Sequence, residues 1–169
     1  LFEQALDLAT EAAIAYANAM VEAGADVIAI ADPVASPDLM SPDTFKQFLQ
    51  SRLQKFSSSV NSVTVLHICG KVNAILSDMA DCGFDGLSVE EKIGNAAEGK
   101  KIIGDRARLV GNVSSPFTLL PGPIDKIKAE AKAALEGGVD VLAPGCGIAP
   151  MTPLENIKAM VAARDEYYA

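Results

Sequence analysis

Apolar residues along this chain follow two spacings, one typical of helices and one typical of buried strands. Long alanine-rich stretches repeat their apolar positions every three or four residues, and short continuous apolar runs lie between them, bounded by glycine or polar residues. The runs predict five strands, at 26–30, 63–66, 84–89, 108–111 and 140–143. The helical spacing predicts six helices, at 1–24, 41–56, 71–82, 95–103, 123–137 and 152–164.

A short phrase recurs at three of the joints where a helix passes into a strand. Gly24-Ala25-Asp26, Gly83-Phe84-Asp85 and Gly138-Val139-Asp140 each place an aspartate two residues after a glycine and next to a strand. The repetition indicates repeated βα units, and fully apolar strands separated by helices predict a parallel sheet covered on both faces. Two α/β architectures fit this order: a doubly wound open sheet, and part of a TIM (β/α)₈ barrel.

Polar residues follow the predicted strands at their carboxyl ends, and their positions favour the barrel. In a barrel these ends meet at one mouth, whereas the first and fifth strands of an open sheet lie about 20 Å apart. The residues concerned are Asp32, His67, Cys69, Glu90, Asn112 and Cys146. We therefore interpret residues 1–169 as a single domain, the C-terminal portion of an eight-stranded barrel with about five of its strands. Such a piece exposes open sheet edges and apolar interior, so we expect it to self-associate.

Composition excludes some function classes. The formal charge is -8 and the acidic residues are scattered, so neither nucleic acid nor an anionic membrane is an expected partner. No apolar run approaches the roughly 20 residues of a membrane span, and no signal peptide is visible, which makes the cytoplasm the expected location. Three widely spaced cysteines do not form a disulfide framework.

The most informative stretch is Val63–Gly70, which delivers His67 and Cys69 at the end of a strand. His67 is the single histidine of the chain, and residues two apart in a strand point to the same side. Cys146 lies far away in sequence, in another glycine-bounded turn after a strand. One imidazole and two thiolates form the protein ligand set of a catalytic zinc site with an open fourth position. The bland alternative is a buried histidine with two core cysteines.

Two carboxylates near the same predicted mouth are candidate catalytic residues. Asp32 either orients a ligand, provides a transient fourth zinc ligand, or only shapes the turn before Pro33. Glu90 either serves as the fourth metal ligand or orients the other ligands by hydrogen bonding to them. Asn112 is a candidate for hydrogen bonding to substrate. Cys82 ends a predicted helix, and we expect it to serve packing alone.

These residues carry a resemblance to a known family. The His67-Ile68-Cys69-Gly70 element, the distant Pro144-Gly145-Cys146-Gly147 and Asp32-Pro33 resemble the methylcobalamin:coenzyme M methyltransferases of methanogenic archaea, in the uroporphyrinogen decarboxylase-like superfamily of barrels. The resemblance runs through essentially the whole chain and implies zinc at His67, Cys69 and Cys146. It also implies a thiol substrate, coenzyme M, bound to that zinc. The methyl donor it implies is methylcobalamin carried by a partner corrinoid protein, in methanogenesis.

The sulfonate of coenzyme M needs hydrogen-bond donors. We expect them from the backbone N–H groups around Ser114 and Ser115, at the start of a helix, or from the part of the barrel that precedes this chain. Two alternatives stay open at this point. One is a metal-free decarboxylase of the same superfamily, and the other is an inactive barrel fragment with structural zinc or no metal. We expect the fragment alone to be inactive.

Overall fold

The structure is a computed structural model that describes residues 1–169. The fold contains five strands, β1 (Val27–Ala31), β2 (Val63–His67), β3 (Gly86–Ser88), β4 (Arg108–Val113) and β5 (Val141–Pro144). The α-helices are α1 (Phe2–Glu22), α2 (Pro42–Phe45), α3 (Ser51–Ser59), α4 (Leu76–Ala80), α5 (Ala96–Ile103), α6 (Ile124–Glu136) and α7 (Leu154–Tyr168). Short 3₁₀ turns span Pro33–Ala35, Val72–Ala74 and Glu91–Ile93, and π-helical turns span Lys46–Gln50 and Ser115–Leu119.

The strands form one parallel sheet in chain order, β1-β2-β3-β4-β5. A doubly wound sheet reverses its strand order at a switch point, and this sheet does not. Each strand lies beside the next one along the chain, which is the arrangement of a barrel wall. The sheet does not close on itself, because β1 and β5 each have one neighbour. The fold is therefore part of a (β/α)₈ barrel, as the sequence predicts.

The two faces of the sheet differ in burial. Leu66, Leu87 and Leu109 point towards the helices and are fully buried in the main apolar core. Their neighbours on the other face include Val63 and Val141, which are 49% and 50% exposed. That second face is the inner wall of the partial barrel, and it carries the apolar exposure that the sequence predicts.

Two of the three Gly-x-Asp joints stabilise the amino ends of the strands through their aspartates. The Asp85 carboxylate accepts the Thr64 N–H at 2.8 Å, and the Asp140 carboxylate accepts the Leu109 N–H at 2.7 Å. In each case the aspartate holds the strand that precedes its own. Burial alone raises the pKa of Asp140, but hydrogen bonds from Lys100 and the Leu109 N–H outweigh it and bring the pKa below its ordinary value.

Several boundaries differ from the predicted ones. The predicted helix 41–56 is one helical stretch over 42–59, interrupted by the π-helical turn. The predicted helix 71–82 is only a 3₁₀ turn followed by the short α4. Strand β4 extends two residues further than predicted, because Asn112 and Val113 pair with Ala143 and Pro144 of β5. None of the helices combines the length and apolar character needed to cross a bilayer.

Candidate metal centre

The three soft ligands singled out in the sequence lie together at the carboxyl end of the sheet. The ligand atoms of His67, Cys69 and Cys146 all lie within 4.8 Å of one another. Strands β2 and β5 are three places apart, which is about 14 Å in a flat sheet. The sheet must therefore curl to bring Cys146 to the end of β2, and this curl supports the barrel architecture independently of strand order.

The spacing of the ligand atoms fits a tetrahedral zinc ion. Two thiolate sulfurs bound to zinc at about 2.3 Å in tetrahedral geometry lie about 3.8 Å apart, and a sulfur and an imidazole nitrogen lie about 3.5 Å apart. The Sγ atoms of Cys69 and Cys146 are 3.8 Å apart, and Cys69 Sγ is 3.3 Å from His67 Nε2. Two thiols and one imidazole are also the donor types that zinc prefers. The residues present fit the metal.

The imidazole of His67 is oriented by β3. Its Nδ1 lies 3.2 Å from the Ser88 carbonyl oxygen and 3.0 Å from Ser88 Oγ. A carbonyl oxygen only accepts, so Nδ1 carries the proton and Nε2 presents its lone pair to the two sulfurs. Metal-ligating histidines are commonly held in this way through their other nitrogen. The register places Ser88 directly opposite His67.

The loop that carries Cys146 is held from two sides. The Ser115 hydroxyl donates to the Cys146 carbonyl oxygen at 2.9 Å, and the Gly145 N–H donates to the Val113 carbonyl oxygen at 2.7 Å. Gly145 also packs closely on Glu90, since a Cβ at position 145 would lie 3.1 Å from the Glu90 Cα. These contacts position the Cys146 sulfur over the end of β2.

Glu90 lies beside the cluster, and its carboxylate is fixed by an ion pair with Lys92. Its side chain is 10% exposed, and 2.9 Å separates Lys92 Nζ from Glu90 Oε2 in this pair. Burial alone raises the pKa of Glu90, but hydrogen bonds from Lys92 and from the Gly70 N–H outweigh it and bring the pKa below its ordinary value. An interaction with the Cys69 side chain lowers the pKa of this carboxylate further. Glu90 is therefore ionised and lies beside the cluster, although it is not grouped with the three candidate ligands.

The Cys69 thiol is protonated in the metal-free site. Burial, the neighbouring Cys146 thiol and the charge of Glu90 raise the pKa of Cys69 to about 11. All three effects disfavour a negative charge on sulfur, and a divalent cation between the ligands reverses them. Without a cation, the surroundings of Cys69 therefore disfavour its thiolate form.

The turn after Cys69 is shaped by residues that the sequence reading did not identify. Gly70 has a φ of +84°, and a Cβ there would lie 2.4 Å from Asp38 Oδ2 and 2.6 Å from Ser36 Oγ. The segment after β1 thus packs directly on the backbone that follows Cys69. Neither Asp38 nor Ser36 belongs to a recognisable motif, and only the tertiary structure brings them to the site.

A cavity of about 640 Å³ opens beside Cys146. One side is formed by the polar segment Glu90, Glu91 and Lys92, and the rest is mainly apolar. The other residues that border it are Ser115, Pro116, Phe117, Leu120, Cys146, Gly147, Ile148 and Ala149. The candidate metal centre therefore borders a cavity that admits a small molecule and a larger apolar group.

Two candidates lie away from this cavity. Asp32 caps the turn Pro33–Ala35 by accepting the Ala35 N–H at 3.2 Å, and it borders a separate apolar cavity under α1. Asn112 is buried inside β4, because the pairing with β5 extends that strand beyond position 111. It borders a cavity of about 210 Å³ that Glu130 also lines. Neither residue is grouped with the three soft ligands.

The two serines proposed to bind substrate already have partners within the chain. The Ser114 N–H donates to Glu130 at 2.7 Å, and the Ser114 hydroxyl caps the π-helical turn by accepting the Phe117 N–H. The Ser115 hydroxyl holds the Cys146 loop. Ser115 borders the large cavity, whereas Ser114 does not. Cys82 is buried in the core and lies outside the cluster.

The chain has close relatives among known proteins. The model of the uroporphyrinogen decarboxylase family matches residues 1–167. A protein named methylcobamide:CoM methyltransferase MtaA, from Methanosarcina barkeri, is 94% identical over 169 residues, which are 100% of this chain and 50% of the relative. Methylcobamide:CoM methyltransferase MtbA from Methanosarcina acetivorans is 34% identical, over 96% of this chain and 48% of its own length.

A solved structure agrees with the fold throughout. The structure of a methyltransferase from Methanosarcina mazei superposes with a TM-score of 0.98 at 86% sequence identity. It covers 100% of this chain, which in turn covers 50% of that structure. The chain thus spans about half the length of the relatives that it matches.

Proposed function

The chain belongs to the uroporphyrinogen decarboxylase family, and on that premise we propose that it forms the zinc-binding part of a corrinoid-dependent methyltransferase. In this proposal the methyl group of a methylated corrinoid, carried by a partner corrinoid protein, passes to the thiol of coenzyme M. The observation that carries it is the convergence of His67, Cys69 and Cys146 within 4.8 Å beside an open cavity. The names of two relatives, both methylcobamide:CoM methyltransferases, support the substrate pair.

The ligand set supports catalysis over a purely structural metal site. Structural zinc sites are closed by four protein ligands, whereas catalytic sites keep one position for water or substrate. The cluster has three soft ligands, and the remaining cysteine, Cys82, is buried elsewhere in the core. We propose that Glu90, which borders the same cavity as Cys146, would supply the fourth ligand of a bound metal in the absence of substrate.

Bound zinc would supply thiol activation, because coordination lowers the pKa of a thiol enough to give a thiolate near neutral pH. Cys69 and Cys146 would neutralise the two charges of the ion, so that the substrate sulfur keeps its negative charge. His67 would complete the set as a neutral donor, held in the required tautomer by Ser88.

The overall transfer is a displacement at carbon. A sulfur–carbon bond forms as the cobalt–carbon bond breaks, and the electron pair of the broken bond stays on cobalt. In this proposal the thiol proton leaves before transfer and passes to the Glu90 carboxylate. The products are methylated coenzyme M and a cob(I)alamin. The large apolar side of the cavity, with Phe117 and Ile148 exposed, suits the approach of the corrinoid carrier.

The donor set weighs against decarboxylation, the main activity that the family name implies. A decarboxylase of the metal-free kind has no use for an imidazole and two thiols within bonding distance of one ion. The distances from Cys69 Sγ to Cys146 Sγ and to His67 Nε2, 3.8 Å and 3.3 Å, suit zinc coordination, which a packing arrangement does not require.

Zinc content tests the proposal directly. We expect one zinc per chain by elemental analysis after dialysis, with loss in Cys146→Ser and retention in Cys82→Ser. Cys82→Ser is the matched control, because it removes a buried thiol outside the cluster. Absence of zinc in the wild-type chain, or retention in Cys146→Ser, would contradict the proposed centre.

A second experiment tests thiol binding. Cobalt(II) in place of zinc gives absorption bands that report thiolate ligands. We expect coenzyme M to intensify the thiolate-to-cobalt band of the wild-type chain, because a third sulfur joins the metal. An unchanged spectrum at saturating coenzyme M would show that the fourth position does not take the substrate.

A further inference from the structure

Lys92 is the one cation among the eleven residues that border the cavity beside Cys146. It lies on the turn Glu91–Ile93 that follows β3, and its side chain is 48% exposed. The sequence reading assigned it no role. Glu90 and Glu91 also border this cavity, so Lys92 is the single group there that can attract the negatively charged end of a substrate.

We propose that Lys92 binds the sulfonate of coenzyme M, and that Glu90 holds the lysine in place while the cavity is empty. This inference rests on the proposed function, which supplies the substrate. It moves the sulfonate site from the backbone around Ser114 and Ser115 to a side chain that borders the cavity.

The hydrogen-bonding capacity of Lys92 supports this role. An ammonium group has three donors and no acceptor, and the Glu90 carboxylate takes one of them at 2.9 Å. No other partner of Lys92 is found among the hydrogen bonds and ion pairs of the chain, so two donors remain for a ligand in the cavity. The Ser114 N–H is occupied by Glu130 and the Ser115 hydroxyl by Cys146, so these serine groups are less available.

The position of Lys92 relative to the candidate metal centre also supports this role. Lys92, Glu90 and Cys146 border the same cavity, and the Glu90 carboxylate pairs with Lys92. Coenzyme M has only two carbons between its thiol and its sulfonate, so a molecule with its sulfur at the cluster keeps its sulfonate within this cavity. Displacement of Glu90 would free the ammonium for that sulfonate.

The test compares ligands that differ only in the sulfonate. Coenzyme M and 2-mercaptoethanol are titrated calorimetrically into the zinc-loaded chain, as wild type, Lys92→Gln, Lys92→Arg and Lys71→Gln. Lys71 is the matched control, since it is exposed, follows the candidate ligand Cys69 by two residues and does not border the cavity. We expect the wild type and Lys71→Gln to prefer coenzyme M by about tenfold, the value of one charged hydrogen-bond contact.

In Lys92→Gln the preference should disappear while the affinity for 2-mercaptoethanol stays unchanged, and Lys92→Arg should keep most of it. A full preference in Lys92→Gln, or an equal loss for both thiols, would overturn the assignment. Ethanesulfonate, observed by ligand NMR with the metal-free chain, separates this proposal from the proposed function. Binding to wild type and not to Lys92→Gln supports Lys92 even when no thiol binds zinc; no binding to wild type overturns it.

Discussion

Ser88 is the residue whose replacement tests the candidate metal centre most selectively. Its side chain touches no sulfur, and it reaches the cluster only through Nδ1 of His67. Replacement of Ser88 by alanine removes the hydroxyl at 3.0 Å and leaves the backbone carbonyl at 3.2 Å. The imidazole of His67 then keeps the carbonyl oxygen as an acceptor and loses the hydroxyl oxygen.

The expected effect is therefore moderate. Loss of an outer partner of a ligating histidine costs about tenfold to hundredfold in metal affinity. Because the carbonyl remains, we expect the lower end, about tenfold or about 1.4 kcal/mol, in Ser88→Ala. The zinc affinity is measured by competition with a chromophoric chelator. The free energy of unfolding of the metal-free chain should change by less, since an exchangeable hydroxyl contact contributes about 1 kcal/mol.

Because the chain has a single histidine, NMR can test directly whether the weaker zinc binding comes from a change at the His67 ring. Nitrogen-15 NMR of the chain has one imidazole to observe, so both ring nitrogens of His67 are assigned without mutagenesis. We expect a protonated Nδ1 in the neutral ring and a shift of Nε2 when zinc is added. Thr64→Val is the control, because Thr64 lies on β2 facing the helices and bonds to Asp85. A zinc affinity unchanged in Ser88→Ala, or lowered equally in Thr64→Val, would refute the assignment.

Three further predictions concern stability and association. Gly70→Ala should lower both the unfolding free energy and the zinc occupancy. The control is Gly24→Ala, because Gly24 also has a positive φ but no atom lies within 4 Å of the added Cβ, so its loss of unfolding free energy should be smaller. Equal losses of the two variants in urea titration would contradict the Asp38 contact. Asp140→Asn should cost about 1 kcal/mol near pH 7 through the lost Lys100 pair. Because the folded pKa of Asp140 lies below its unfolded value, this stabilisation is present above about pH 4 and is lost as the pH falls through the folded pKa, so the two unfolding curves should converge in acid. The isolated chain should self-associate through its open sheet edges and exposed inner face, and light scattering that shows a monomer at all concentrations would contradict this.

Strand positions and the three soft ligands could be predicted from the sequence because local pattern determines them. A buried parallel strand reads as a short apolar run, and a strand end marks the mouth of a barrel. His67 and Cys69 are two residues apart on one strand, so their common direction follows from strand geometry alone. Cys146 required one more step, the choice of a curled sheet over a flat one.

The surroundings of the ligands could not be predicted in the same way, because they depend on register and loop packing. Ser88 is found only when β2 and β3 are aligned, although its place two residues before Glu90 on the next strand was a usable signal. Asn112 was expected beyond the end of a strand, but pairing with β5 extends β4 past it. Asp38 reaches Gly70 through an irregular segment that has no periodicity from which to infer a position.

The amino ends of the strands carry contacts that stabilise the sheet, whereas the carboxyl ends carry the candidate metal centre. A metal bound at that centre would also affect the stability of the sheet. At the amino ends, aspartates such as Asp85 and Asp140 hold neighbouring strands through backbone N–H groups. At the carboxyl ends, Cys69 and Cys146 come from strands three places apart and approach only when the sheet curls. A metal ion bound by both cysteines would therefore stabilise the curled sheet relative to a flatter one, because only the curled sheet brings the two sulfurs close enough to bind it. The same residues that we propose to prepare a thiol for reaction would then also fix the curvature that brings them together.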